Sequence, residues 1–423
     1  MNQSHYRCLW SSLSGDLLLC LLAVSVAGSS AVAHWPGWRG DDASGVAAAK
    51  GFPAKWSATR NVRWKVALEG AGVSTPIVWD DRIFLTASDG RLNDRLHVWC
   101  YHRDDGRPLW HTRLFGSAAP EGLFAPGGMA VPTPATDGKR VWTLFGTGDL
   151  VCLDVEGKPV WLRSLAQEYG PFRNRWGMAA SPVLVDDMLI VQVDHFGQSY
   201  LLAVDAATGV TRWRTPRDAT VNWSSPIVAS IKGQKQVIVA GTYRVKGYDL
   251  HKGSELWSVS GMPMQCIPTP VVSGGRLFAL ATKDSCTLAI RLDGDRGDLT
   301  DSHTLWKVKS GAAAIPSPLA LGEYYYFVED TGLANCLNAA SGTRVWRERL
   351  GGSKYHASPV ACADQLYFAS VEGVVTVVKA GPVFKVLGRN DVGEAIVASP
   401  ALSDGRIFIR GEKHLFCIEE REK

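Results

Sequence analysis

The chain has 423 residues, 46% of them hydrophobic and 20% charged, with 43 glycines and 21 prolines. That content excludes a disordered polypeptide, a collagen-like repeat and a coiled coil. The formal net charge of +4 comes from 45 basic and 41 acidic residues mixed along the chain, and no basic run marks it as a nucleic-acid binder.

In chain order, the first element reads as an export leader. Arg7 gives a positive start, Leu17 to Ala27 is apolar, and Ala31-Val32-Ala33 is a small-residue cleavage site. The apolar run is too short for a transmembrane helix, and no other segment suits one. Cys20 lies inside that run and makes a poor lipidation site. The pattern predicts a leader over 1–33, an extension over 34–60 and an exported chain, periplasmic or extracellular. Beyond the leader seven cysteines remain, an odd number with no C-x-x-C, which is neither a disulfide framework nor a zinc or haem pattern. Cys100, Cys152, Cys336 and Cys417 share one local setting, where Ala203 and Gly247 stand elsewhere. Cysteine is expected there as a small buried residue.

From residue 75 onward a Ser/Thr-Pro pair recurs eight times, with its proline at 76, 134, 182, 226, 270, 318, 359 and 400. Seven residues after the proline a second apolar run opens, at Ile83, Val141, Leu189, Leu277, Tyr325, Leu366 and Ile407; the fourth repeat delays this to Val237. Turn pairs such as Asp80-Asp81, Asp137-Gly138 and Asp404-Gly405 separate the two runs, and such residues tolerate the positive φ of tight hairpins. A third strand, a second hairpin and a Trp follow. The Trp comes four residues after the turn glycine at Trp110, Trp161, Trp213, Trp257 and Trp346, later at Trp306, and repeat seven has Phe384 near that place.

Each repeat therefore holds four short strands, and the predicted fold is an all-β, eight-bladed β-propeller over 61–423. The last repeat ends without a fourth strand. Asn61-Val62-Arg63-Trp64-Lys65-Val66 precedes the first repeat and carries the missing Trp, so an N-terminal strand should complete the C-terminal blade and close the ring. The recurring Trp is expected to fill the gap between neighbouring blades, each ring burying about 150–250 Å².

The stretch Ala203-Val204-Asp205-Ala206-Ala207-Thr208-Gly209-Val210-Thr211-Arg212-Trp213 resembles the tryptophan-docking motif of quinoprotein propellers, with weaker copies at Gly247 to Trp257 and Cys336 to Trp346. Trp35-Pro36-Gly37-Trp38-Arg39-Gly40 is similar to the opening of exported bacterial PQQ-like β-propeller proteins. Two branches share this fold: pyrroloquinoline-quinone (PQQ)-dependent alcohol dehydrogenases, and the outer-membrane assembly factor BamB, a non-catalytic scaffold of similar size. The dehydrogenase branch implies a quinone over the channel, a Ca²⁺ and an Asp base; no acidic or amide residue of this chain matches that set, and it lacks the adjacent cysteine pair and the long insertions. The length without insertions fits the scaffold branch.

The segments before each Ser/Thr-Pro pair should gather at one mouth of the channel. Most are small and apolar, such as Gly70-Ala71-Gly72-Val73, Ala312-Ala313-Ala314-Ile315 and Glu394-Ala395-Ile396-Val397. Asn174, Arg175, Trp176, Asn222, Trp223, Gln265, Lys354, Tyr355 and His356 bring polar and aromatic groups to the same rim. The cations suit a carboxylate or phosphate, and the rings suit a flat group or a sugar. A second candidate is the insertion before Trp306, where Asp293, Asp295, Asp298 and Asp301 lie among turn glycines as in a Ca²⁺ loop, though without EF-hand order. No H-E-x-x-H, no G-x-S-x-G elbow and no phosphate loop is present.

The resulting expectation is a monomeric, non-catalytic binding scaffold whose partners are cell-envelope proteins, with no cofactor. The alternative is a quinoprotein oxidoreductase with a divergent site, which would carry PQQ and Ca²⁺.

Overall fold

The Ser/Thr-Pro pair places the innermost strand of every blade. Proline restricts the residue before it to extended backbone, so each Ser or Thr enters its strand with hydroxyl and N–H fixed in direction. In the computed structural model, which describes residues 33–49, 51–118, 127–281, 286–309 and 315–420, these groups join one blade to the next. The Thr75 N–H donates to Thr133 Oγ1 (3.0 Å), Thr133 to Ser181 Oγ (2.9 Å), and Ser181 to Ser225 Oγ (2.9 Å). The relay continues from Ser225 to Thr269 (3.2 Å), Thr269 to Ser317, Ser317 to Ser358 and Ser358 to Ser399 (2.9 Å each). Seven bonds thus run around the channel. At the eighth junction Thr75 Oγ1 has no partner. Residues 1–32 of the expected leader and the Ala312-Ala313-Ala314 segment lie outside the described residues.

Eight four-stranded antiparallel blades surround this relay. Blade 1 comprises Ile77–Trp79, Arg82–Asp89, Arg95–His102 and Pro108–Phe115, and the next six repeat that order. Blade 8 comprises Ala401–Ser403, Arg406–Arg410 and His414–Ile418, and its outer strand is Val62–Ala67, antiparallel to His414–Ile418 with Trp64 opposite Cys417. The ring closes as the sequence predicts, leaving no long open edge. Asp80 and Asp404, at the hairpins between first and second strands, adopt φ of 50° and 51°.

One register recurs in the outer half of the blades. The small third-strand residue lies opposite the Trp of the fourth strand, as in Cys100–Trp110, Cys152–Trp161, Ala203–Trp213 and Cys336–Trp346. All seven cysteines here are free and buried, and burial pushes the Cys100, Cys152, Cys336 and Cys417 thiols up to about 12. Most Trp rings then lie against the turn glycine of the next blade and donate their indole N–H to a carbonyl there. Trp110 donates to Val155 O (2.7 Å), Trp213 to Leu250 O (2.9 Å) and Trp346 to Gly381 O (3.0 Å).

Two blades depart from this docking. Trp257 donates to Gln236 Oε1 of its own blade (2.7 Å) and its ring lies over Gly247. The cause is in blade 5, where the insertion before Trp306 replaces the turn glycine that would receive the ring. Gly297–Asp298 of that insertion instead adds a parallel fifth strand to the edge of blade 4 at Trp257 and Ser258. In blade 7 the register position belongs to Gly388, not Phe384. A Cβ on Gly388 would meet Ala54 O at 2.1 Å, so the N-terminal extension occupies the space a Trp would fill. Phe384 packs on Trp346 instead.

The extension is part of the propeller interior. Trp35 exchanges two backbone hydrogen bonds with Val78 of blade 1, and Pro36 O accepts from Thr136 N of blade 2. Trp38 Nε1 donates to Thr269 Oγ1 of the relay (3.1 Å), and Val46–Ala47 pairs in parallel with Val360–Cys362 of blade 7. Arg39 is fully buried, its guanidinium donating to Ala43 O, Ser44 O, Ser317 O and Pro318 O. Burial lowers its pKa to about 9, and four carbonyl dipoles replace the lost water. The segment therefore crosses the channel beneath the hydroxyl relay.

Gly247→Ala tests the Trp257 arrangement. The added Cβ would sit 2.2 Å from the Trp257 ring, so the variant should lose about 1–3 kcal/mol in a denaturant titration. A loss below about 0.5 kcal/mol would show that Trp257 is free to dock elsewhere.

Candidate functional site

Because all eight innermost strands start with a Ser/Thr-Pro pair, the residues two places earlier meet at one mouth of the channel. Val73, Val131, Ala179, Ile267, Ile315 and Val397 form most of that ring, and Trp223 and His356 interrupt it. They wall a cup of about 440 Å³. Trp38 enters from below, seated on the relay by its bond to Thr269, and Trp176 stands at the rim. Relay hydroxyls of Ser181, Ser317, Ser358 and Ser399 also reach the wall, but each already accepts the preceding blade's N–H. No Asp, Glu, Lys or Arg is found among the described lining residues.

The rim residues expected from sequence separate into three groups. Trp176, Trp223, Gln265 and His356 line the cup. Trp176 is 39% exposed, meets Trp223 edge-on with centroids 5.9 Å apart, and carries the Arg175 guanidinium at 4.1 Å from its ring. Trp223 is fixed by its indole bond to Gly177 O (2.9 Å). Burial, reinforced by Lys354, lowers the His356 pKa, so this ring brings no positive charge at neutral pH. Lys354 itself is exposed and lies outside the cup.

Asn174, Asn222 and Tyr355 are buried supports. Asn174 Oδ1 accepts from Trp176 N (3.1 Å) and shapes the turn that presents the ring. Asn222 Oδ1 accepts from Cys266 N (2.9 Å), and its Nδ2 belongs to a buried network around Asp194. In that network Arg217 Nε donates to Asp194 Oδ1 (2.8 Å), Nη2 to Oδ2 (3.1 Å), and Nη1 to Tyr248 OH (2.9 Å). Burial opposes the Arg217 charge, but Asp194 and Tyr248 hold its pKa above the ordinary value. Tyr355 donates to Gly351 O (2.7 Å), and burial pushes its hydroxyl up to about 12.

The acidic insertion divides in two. Asp293 and Asp295 turn to His303, whose Nε2 lies 2.7 Å from Asp293 Oδ1 and 3.4 Å from Asp295 Oδ2. Asp293 also pairs with Arg291. Asp298 accepts from the N–H and hydroxyl of Thr300 and pairs with Arg244 of blade 4 (3.0 Å). Asp301 is exposed in the short helix Thr300–His303. Asp293, Asp295 and His303 thus bring their ligand atoms within 4.8 Å of one another, and Asp298 and Asp301 are not part of that group. Asp298, through Arg244, ties the insertion to the blade 4 edge, where Gly297–Asp298 also pairs with Trp257 and Ser258.

A family profile described as outer membrane protein assembly factor BamB matches residues 36–168, 94–333 and 295–421. Among solved structures, BamB from Moraxella catarrhalis superposes with a TM-score of 0.60 at 15% identity, covering 85% of this chain and 97% of that one. Quinohemoprotein alcohol dehydrogenase from Comamonas testosteroni superposes at 0.67 and 13%, covering 92% and 81%. A europium-containing methanol dehydrogenase superposes at 0.56 and 10%, covering 90% of each chain. These likenesses concern the fold alone. A comparison with curated protein sequences finds no match.

The two rim tryptophans should separate in thermal melts. Trp223→Ala removes a half-buried ring and its bond to Gly177, and should cost about 1–3 kcal/mol; Trp176→Ala should stay within about 0.5 kcal/mol of the parent. Equal losses would make Trp176 a packing residue instead of a free contact surface.

Proposed function

The chain belongs to the family described as outer membrane protein assembly factor BamB, and from that premise we propose that it is a non-catalytic binding propeller of the cell envelope whose cup receives an apolar group of a partner protein. The observation that carries this reading is the chemistry of the eight-residue ring at the mouth. Six aliphatic side chains, Trp223 and an imidazole kept neutral make up the ring, and with Trp38 and Trp176 beside it they provide contact area without a reactive group. A hydrocarbon or aromatic group entering such a cup gains about 25 cal/mol for each Å² withdrawn from water. The relay beneath holds the walls rigid, so little ordering is lost on binding.

The enzyme alternative needs a quinone with Ca²⁺, and the donor set does not fit that pair. Ca²⁺ takes six to eight oxygens, preferably with carboxylates among them. The described lining residues offer one side-chain amide, Gln265, and serine hydroxyls already engaged in the relay. No residue there is placed as a carboxylate base. The leader features at Arg7, Leu17 to Ala27 and Ala31-Val32-Ala33 support export, and the family's scaffold branch fits a protein partner.

Titration of the purified protein with PQQ, with and without Ca²⁺, decides between the readings through quenching of its tryptophans. The binding-propeller reading predicts no saturable, Ca²⁺-dependent quenching, together with photo-cross-linking of a polypeptide from position 315 in the cup but not from exposed position 210 on blade 3. One-to-one, Ca²⁺-dependent quenching would replace it with the oxidoreductase.

A further inference from the structure

Arg410 breaks the chemical pattern of an eightfold repeat. The pairing of first and second strands makes it the counterpart of Thr86 in blade 1, Gln192 in blade 3 and aliphatic residues such as Leu144 and Leu280 in the others. None of the other seven counterparts is charged. Arg410 is only 3% exposed, and it stands at the junction of blades 8 and 1, where the hydroxyl relay is open.

Its hydrogen bonds use one nitrogen. Nη1 donates to Ser74 Oγ (2.7 Å), Ser74 O (3.2 Å) and Thr86 O (2.9 Å). Nε and Nη2, the edge that grips a carboxylate in a two-pronged contact, make no bond to a described residue. The other buried arginines are completed differently. Arg39 spreads all three nitrogens over carbonyls, and Arg217 faces Asp194. Arg410 has no carboxylate partner among the described residues, and burial lowers its pKa to about 10, opposed by Tyr101. A buried cation without a counter-charge is costly, and a repeat protein had seven uncharged solutions for the same position.

The free edge looks onto space. A cavity of about 440 Å³ lies at this seam, lined by Arg410, by Gly70, Ala71 and Gly72, and by Ala395 and Ala398. Gly72 lets the guanidinium reach it, since a Cβ there would stand 2.4 Å from Nη2. Of the neighbouring carboxylates, Glu394 accepts from Lys413 N, His414 N and His414 Nδ1, and Glu412, exposed at the rim, shares the lining of the bay with Lys413. The bay adjoins the cup, sharing Val73, Val397 and Ala398 with it.

We propose that this bay is a carboxylate-binding site, in which a small organic acid places its carboxylate on Nε and Nη2 of Arg410 and its carbon skeleton against Gly70–Gly72, Ala395 and Ala398. The inference does not depend on what occupies the cup.

Benzoate and its neutral counterpart benzamide are the probes, measured by calorimetry and thermal shift in low-chloride buffer. Benzoate should bind saturably and raise Tm, and benzamide should do neither. Arg410→Gln should weaken benzoate at least about tenfold, the loss of a charge-assisted contact. That variant also gives up the links to Ser74 and Thr86, so Ala395→Phe is the second arm. It narrows the bay from a half-exposed wall, leaves Arg410 in place, and should weaken benzoate while keeping the parent Tm. Absence of saturable benzoate binding at millimolar concentration, equal binding of benzamide, or unchanged benzoate affinity in both variants would overturn the site.

Discussion

The hydroxyl-to-amide relay along the eight Ser/Thr-Pro pairs is the interaction on which this propeller depends. Seven of the eight blades each offer one hydroxyl to the N–H of the blade before, so seven junctions are fixed by a hydrogen bond and not by apolar contact alone. The net worth of one such bond is about 1 kcal/mol, but a buried N–H left without it would cost about 1–3 kcal/mol. The relay therefore specifies which blade-to-blade spacing is allowed more than it adds stability. It also fixes the site, because the side chains two residues upstream are carried into the channel mouth by the same strands.

The eighth junction is built differently. The ring closes through the strand Val62–Ala67, and its Trp64 donates to Arg103 O of blade 1 (2.9 Å), so the outer part of that junction follows the general docking pattern. The inner part does not. Thr75 Oγ1 is unpartnered, and Arg410 reaches across to Ser74 and Thr86 in place of the missing relay bond. A side chain that both staples the seam and keeps one donor edge free of bonds to described residues sets this junction apart from the seven relay junctions.

Much of this was legible in the sequence because repeats convert position into geometry. The Ser/Thr-Pro spacing, the turn pairs and the displaced Trp64 were enough for blade number and ring closure. The docking expectation failed where a partner residue was replaced. Trp257 turns back because the 292–303 insertion removed the turn glycine of blade 5, and Gly247 leaves room for it. Residues 34–60 read as an extension because nothing in Trp35 to Gly40 signals that Arg39 will be wrapped by carbonyls of blade 6. Of the rim residues, Trp176 and Trp223 reached the cup, whereas Asn222 went to the Asp194 network, a pairing between loops that no local pattern encodes. The aliphatic ring of Val73, Val131 and Ile315 was available by counting two residues back from each relay hydroxyl, but polar residues are more conspicuous.

Hydrogen exchange resolved at single amides tests the relay most directly. The N–H groups of Thr75, Thr133, Ser181, Ser225, Thr269, Ser317 and Ser358 should fall in the slowest class of the protein, and the Ser399 N–H, whose would-be acceptor Thr75 Oγ1 stands unpaired, should exchange faster than all seven. Equal protection at Ser399, or rapid exchange at the seven, would contradict the account.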